Sequence, residues 1–236
     1  MRPTLVITHL ADRDSGLVED ALMRAAPVRR FDALAAEPLP ALHEIAGIVT
    51  LGGRQSATAV ASDPALAAEV ALLRRALDEE VPVLGFCLGA QLLAVAGGGH
   101  VRALGEMRAG WPQLRRLPSC AQDPVFAEFP DELRVLRWHE DLIEAPGSAT
   151  QLGTTPGPGD ALYRLGAAAW GSQAHLELTP ALLVDTWLTQ PRGVVEVQAA
   201  GHRIDDFARD SRRLLAPQMA AARRALQRFA ILLRRD

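Results

Sequence analysis

The sequence predicts an α/β fold: one doubly wound, mostly parallel but mixed sheet with helices on both faces, built as a single domain over residues 1–236. Three observations predict it. Short β-branched runs alternate with helical apolar patterns as far as residue 99, the order expected of βαβ units. Two of those runs end in glycine, at Gly52-Gly53 and at Gly85, where the chain must turn sharply. Beyond residue 99 the pattern breaks into short strand-like pieces separated by turn residues, which reads as antiparallel additions and a return to the main sheet.

Leu5-Val6-Ile7-Thr8 is the first strand, with His9, Asp12 and Asp14 at its end. Residues 16–26 carry Leu17, Ala21, Leu22 and Ala25 at helical spacing until Pro27. Residues 28–31 make a short second strand, Pro38 and Pro40 mark a loop, and residues 45–51 form the third strand. Asp63-Pro64 starts a helix, with Asp63 as cap and proline at the first helical position. Leu66, Val70, Leu73 and Leu77 carry it to about Glu80. An apolar run after Pro82 then passes through Gly85-Phe86-Cys87-Leu88-Gly89 into apolar residues at helical spacing, Leu92, Leu93 and Ala96, and three glycines. Strand-like pieces follow at 101–104, 111–114, 134–138, 149–152, 162–165 and 167–175. Thr179-Pro180 opens a helix through Leu188. The segments 204–215 and 218–233 read as C-terminal helices with Pro217 between them. Arg223, Arg224 and Arg228 alternate with Ala222, Leu226, Phe229 and Leu232, the pattern of a solvated helix face.

Composition narrows the function. Apolar residues make up 49% and charged residues 22% of the chain, ordinary for a soluble globular protein. A net charge of −3 gives no reason to expect nucleic acid or an anionic membrane as partner. Two cysteines, Cys87 and Cys120, make no disulfide framework, and no metal-type Cys/His spacing occurs; a reducing, cytoplasmic setting is expected. Residues 4–8 are too short for a signal peptide's apolar region, and no apolar run approaches the ~20 residues of a membrane span.

The chemistry centres on Cys87. Strand, sharp turn and helix is the layout of a nucleophile elbow. Glycines on either side of the nucleophile remove Cβ atoms for which such a turn has no room. A cysteine at a helix N-terminus also meets free N–H groups and a dipole that favour thiolate. An isolated cysteine reads more simply as a small buried hydrophobe; the flanking glycines and the strand-to-helix switch reverse that. A thiol nucleophile needs a base, and the base an orienting group. Of six histidines, His175 ends a strand-like run and is followed by Glu177. On an extended backbone, residues two apart share a side, so Glu177 would hold the imidazole toward a thiol. Acyl chemistry also needs oxyanion donors. The backbone N–H of Leu88 is one candidate, and Gly52-Gly53 offers a second.

Together these pieces resemble the class I (triad-type) glutamine amidotransferase family, closest to small stand-alone members that look like the amidotransferase domain of GMP synthase. Leu51-Gly52-Gly53 resembles its oxyanion strand, and Gly85-Phe86-Cys87-Leu88-Gly89-Ala90-Gln91 its Gly-x-Cys-x-Gly-x-Gln elbow. Gly110-Trp111, Trp138-His139-Glu140-Asp141 and the segment from Gly171 to Glu177 follow in the family's order. The match covers roughly residues 4–190, and 203–236 form the C-terminal helices. The resemblance implies Cys87 as nucleophile, His175 as general base and acid and Glu177 as its orienter. It implies Gly53 and Leu88 as oxyanion donors, with Gln91 and Gly52 at the substrate. No metal or organic cofactor is implied. His139 and Asp141 are expected to be structural or at the pocket edge, and Cys120 a bystander. The chain departs from the family at Arg54, where proline is usual, and at Ala174 and Leu176, where phenylalanine and proline are usual. It departs also at Asp160, where an amide is common, and at Arg108, where glutamate is common. The departures concern the leaving-group and acceptor pocket rather than the triad.

Three readings follow. The first is a glutamine amidotransferase that hydrolyses the γ-carboxamide of glutamine through a γ-glutamyl thioester and supplies ammonia to a synthase on another chain. The second is a self-contained γ-glutamyl hydrolase or peptidase acting on γ-glutamyl amides or peptides. The third is a non-catalytic member of the fold, which requires function to survive Cys87→Ala.

Overall fold

A computed structural model of the protein describes residues 1–10, 14–35 and 37–234; Asp12 lies outside them. The elements in order are β1 (Thr4–His9), α1 (Val18–Leu22), β2 (Val28–Asp32), β3 (Gly47–Gly53), α2 (Pro64–Asp78), β4 (Val83–Phe86) and α3 (Leu88–Ala96). There follow β5 (His100–Gly110), β6 (Gln113–Arg116), β7 (Glu132–Arg134), β8 (Arg137–Glu144), β9 (Thr150–Thr154), β10 (Leu162–Leu165) and β11 (Ala169–Ser172). The chain ends in α4 (Pro191–Ala199) and α5 (Ile204–Leu232).

Among the described residues the main sheet has nine strands in the order β2-β1-β3-β4-β11-β10-β9-β6-β7. The five strands from β2 to β11 pair in parallel, and the four beyond extend the sheet antiparallel. Period-two alternation assigns each strand residue to a face. Val6, Val49 and Leu84 pack with Leu17, which precedes α1, Leu22 of α1, and Leu226 and Phe229 of α5. Leu5, Ile7, Ile48 and Val83 pack with Leu66 and Leu73 of α2 and Leu92 and Leu93 of α3. Helices therefore cover both faces, as expected. The cap on α2 is also as read: Asp63 Oδ1 accepts from the N–H groups of Ala65 and Leu66 at 2.9 and 3.2 Å.

Several expectations need correction. Two of the later strand-like pieces lie outside the main sheet: β5 and β8 form a separate two-stranded antiparallel ribbon. The run expected to stay extended to His175 leaves the sheet at Ser172, where the Ser172 hydroxyl donates to the Ala174 carbonyl at 2.9 Å and turns the chain. The helix expected through Leu188 is a π-helical segment, Ala181–Thr186, followed by a 3-10 turn. Helix α4, which opens at Pro191, has no counterpart among the helices expected from sequence. Finally, Pro217 does not divide the C-terminal helix. It lies within α5, exposed, and removes one backbone hydrogen bond while Leu215, Gln218 and Ala221 on the buried stripe hold the helix to the sheet.

Candidate active site

Cys87 sits between the end of β4 and the start of α3, at the carboxyl edge of the parallel strands where open α/β sheets place ligand sites. Its φ of 49° and ψ of −108° lie in a sparsely populated region; Glu80 and Cys87 are the non-glycine residues with positive φ among those described. Such a conformation costs of order 1–3 kcal/mol and persists only where surroundings enforce it. The enforcement is visible. The Cys87 N–H donates to the Ser172 carbonyl at 2.8 Å, and the Cys87 carbonyl accepts from the Gln91 N–H at 3.0 Å. A Cβ on Gly85 would stand 2.7 Å from the Gly89 carbonyl carbon, and one on Gly89 would stand 2.2 Å from the Thr50 carbonyl oxygen. Both glycines of the elbow are thus required by close backbone approach.

His175 and Glu177 reach Cys87 from a turn rather than from an extended strand. The His175 N–H donates to the Leu136 carbonyl at 2.9 Å. Its Nδ1 lies 2.7 Å from Glu177 Oε1 and its Nε2 lies 3.3 Å from the Trp138 carbonyl oxygen. Cys87 Sγ lies 3.7 Å from that same oxygen, so one carbonyl holds thiol and imidazole side by side. Both ring nitrogens face acceptors, an arrangement that suits the doubly protonated ring. Burial opposes the charge, but Cys87 and Glu177 outweigh it and hold the imidazole pKa well above its ordinary 6.5. Trp187 closes the ring's other side at a centroid distance of 5.3 Å, edge to face.

Gly53 and Leu88 line the cleft beside Cys87, and Leu88 opens α3, where backbone N–H groups have no acceptor within the helix. Gly52, expected at the substrate, packs against His175 and Cys87. A Cβ there would be 2.7 Å from His175 Cε1 and 3.5 Å from Cys87 Cβ. Gln91 is buried and lines the cleft, its Nε2 at 3.5 Å from the Asp141 carbonyl and from Gln173 Oε1. The cleft measures about 410 Å³, and its mouth carries Arg54, Arg192 and Glu196.

His139 and Asp141 also line the cleft. Burial pushes His139 down to about 3, its Nδ1 at 2.7 Å from the Asp141 carbonyl. The Ser56 hydroxyl donates to Asp141 Oδ2 at 2.6 Å. Cys120 is buried away from the cleft, and burial raises its thiol to about 11. Among the described residues no group of three or more His, Cys, Asp or Glu side chains is arranged for a metal, and no helix is long and apolar enough to cross a membrane.

Sequence reasoning missed the residues that support the site. Gln218 of α5 donates from Nε2 to the His175 carbonyl at 2.8 Å and accepts the Leu136 N–H at 2.7 Å. One signal could have found it: a glutamine in register with Leu215, Ala221, Ala222 and Ala225 on the buried stripe of a helix. Glu196 of α4 accepts from the Trp138 indole N–H at 2.8 Å and so fixes the residue whose carbonyl meets Cys87 and His175. No local pattern announces that contact.

The family model described as glutamine amidotransferase class-I matches residues 21–189. A glutamine amidotransferase-like protein of Salmonella typhimurium is 30% identical over 143 residues, 59% of this chain and 60% of that one. A glutamine-hydrolyzing GMP synthase of Aeropyrum pernix is 30% identical over 168 residues, 69% of this chain and 30% of the synthase. The chain therefore spans less than two thirds of the length of these relatives, 60% of the first and 30% of the second. The structure of a Thermotoga maritima glutamine amidotransferase superposes with a TM-score of 0.84 at 28% identity, covering 97% of this chain and 98% of that one.

Proposed function

The chain belongs to the class I glutamine amidotransferase family, and from that membership we propose that it hydrolyses the γ-carboxamide of glutamine through a γ-glutamyl thioester on Cys87. The observation that carries the reading is the strained Cys87 beside a His175 that is itself held 2.7 Å from Glu177. In the first step Cys87 Sγ attacks the carboxamide carbon while His175 holds the thiol proton. The carbonyl oxygen becomes an oxyanion that accepts from the N–H groups of Gly53 and Leu88; a donor of this kind contributes on the order of 3 kcal/mol in other enzymes. Collapse breaks the C–N bond as His175 gives its proton to the leaving nitrogen, and ammonia departs. Water then attacks the thioester, His175 takes its proton, and glutamate and the free thiol are restored. Glu177 keeps one ring orientation through both halves. Gln91, buried at the cleft floor, is suited to hold the glutamyl moiety. The acceptor of the ammonia would be a synthase on another chain, as the GMP synthase relatives suggest.

The cleft volume of about 410 Å³ favours a second reading, since it falls in the range that encloses drug-sized ligands. A γ-glutamyl amide or peptide would use the same thioester chemistry with a larger leaving amine. Glutamate release from glutamine and from a panel of γ-glutamyl amides and peptides, with Cys87→Ala beside it, decides the matter. Glutamine turnover that a partner stimulates supports the first reading. Partner-independent turnover of the peptides alone supports the second. Release that survives Cys87→Ala overturns both.

A further inference from the structure

A second buried ionisable cluster lies behind the oxyanion strand, and the chemistry above makes no use of it. Glu69 of α2 is 2% exposed. Its Oε2 lies 2.8 Å from Nε2 of His9, at the end of β1, and its Oε1 accepts from the Thr50 hydroxyl of β3 at 2.6 Å. The side chain of His9 is fully buried. One carboxylate therefore ties the end of β1 to the middle of the neighbouring β3 from a helix on the sheet's face.

Both tied residues abut the site. His9 pairs with Gly53 in the β1–β3 register, and a Cβ on Gly53 would stand 2.5 Å from His9 Cβ. Thr50 pairs with Gly85, and its carbonyl and methyl press on Gly89. Gly53 lines the cleft with Cys87, and Gly85 and Gly89 flank Cys87 in the elbow. A buried ion pair is a poor device for stability, because desolvation offsets most of its attraction. An apolar trio would pack here as well, so the polar cluster calls for another reason. Burial opposes charge on His9, but Glu69 outweighs it and raises the imidazole above its ordinary value. The Leu51 carbonyl lies near enough to favour that charge, though Nδ1 has no hydrogen bond of proper geometry among the described residues.

We propose that Glu69, through His9 and Thr50, positions the oxyanion strand: it fixes the Gly52-Gly53 backbone against Cys87 and His175 without touching substrate. The proposal rests on the γ-carboxamide reading above. A positioning role of this kind appears in steps that develop an oxyanion and leaves ground-state binding alone.

The test uses the full chain. Glu69→Ala is expected to lower kcat for glutamate release on the order of 100-fold, the loss that a misplacement of about 1 Å produces, with KM within threefold of wild type. Glu69→Gln, which can keep both hydrogen bonds, should recover kcat to within about tenfold. Alkylation of Cys87 by iodoacetamide, which develops no oxyanion, should proceed at the wild-type rate in both. Hydrogen exchange should quicken at Gly52-Gly53 and stay unchanged over residues 173–178. If Glu69→Ala fails to fold, Glu69→Gln and Thr50→Val carry the same readouts, with a several-fold fall in kcat expected. The proposal is overturned if kcat of folded Glu69→Ala, or of Thr50→Val where Glu69→Ala does not fold, stays within twofold of wild type, if alkylation slows in step with kcat, or if exchange at Gly52-Gly53 does not change. A wild-type protein inert toward every γ-glutamyl donor would sink the functional reading, while the exchange comparison would still decide this one.

Discussion

Gly52→Ala probes the geometry of the site more sharply than removal of the Cys87 thiol, because it adds one methyl and removes nothing. The added Cβ would stand 2.7 Å from His175 Cε1, 3.4 Å from Nδ1 and 3.5 Å from Cys87 Cβ. Carbon atoms rest at about 3.5–4.0 Å, so the ring must retreat by roughly 0.8 Å or more. It has nowhere to go at no cost: Nδ1 is held by Glu177 at 2.7 Å, the backbone N–H by Leu136 at 2.9 Å, and the far side by Trp187. A displacement of about 1 Å in a catalytic group costs on the order of 100-fold in rate, equivalent to about 2.7 kcal/mol of barrier. The crowding itself should lower stability by about 1–3 kcal/mol. The assay is kcat/KM for glutamate release, with a denaturant titration to confirm folding and iodoacetamide alkylation to confirm that Cys87 is present and accessible. A folded variant with kcat/KM within threefold of wild type would refute the reasoning, since the ring would then have room that the structure denies it.

Three further outcomes are expected. Gln218→Leu leaves the Leu136 N–H and the His175 carbonyl buried without their partner; at about 1–3 kcal/mol for each orphaned group, denaturant unfolding should show a loss of roughly 2–6 kcal/mol, and a loss below about 1 kcal/mol would contradict the clamp. His139, held near 3 by burial, stays neutral in the folded state at pH values where the unfolded chain, with its ordinary value of about 6.5, takes up a proton. It adds no pH dependence above about 6.5, and stability falls as pH drops below that. Between pH 7 and 4.5 the loss from this group is about 2–3 kcal/mol, and His139→Asn should lack that share; identical acid sensitivity in the two proteins would count against it. Pro217→Ala restores a backbone N–H in the exposed interior of α5 and should raise stability by about 1–3 kcal/mol in the same titration, with no gain showing that the helix has already adapted to the proline.

What the sequence determined by itself was what local chain physics controls. The alternation of β-branched runs with helical patterns specified the parallel strands, and the Asp63-Pro64 cap specified the start of α2. The elbow was legible because its requirements are local: Gly85 and Gly89 lie within two residues of Cys87, and the steric demand falls on those positions. His175 and Glu177 were legible as a pair for the same reason, although the supposed extended backbone between them is in fact a turn. The tertiary structure alone decided what meets that pair. The Trp138 carbonyl, the Trp187 ring and the Gln218 side chain come from distant segments, and their arrival depends on how β8, the 3-10 turn after the π-helical segment and α5 pack, which no periodicity records. The same holds for Gly52, whose position behind His175 follows from strand register rather than from its being next to Gly53. Pro217 shows the converse: its local preference to end a helix was real, but the buried stripe on either side of it outweighed one lost hydrogen bond on an exposed face.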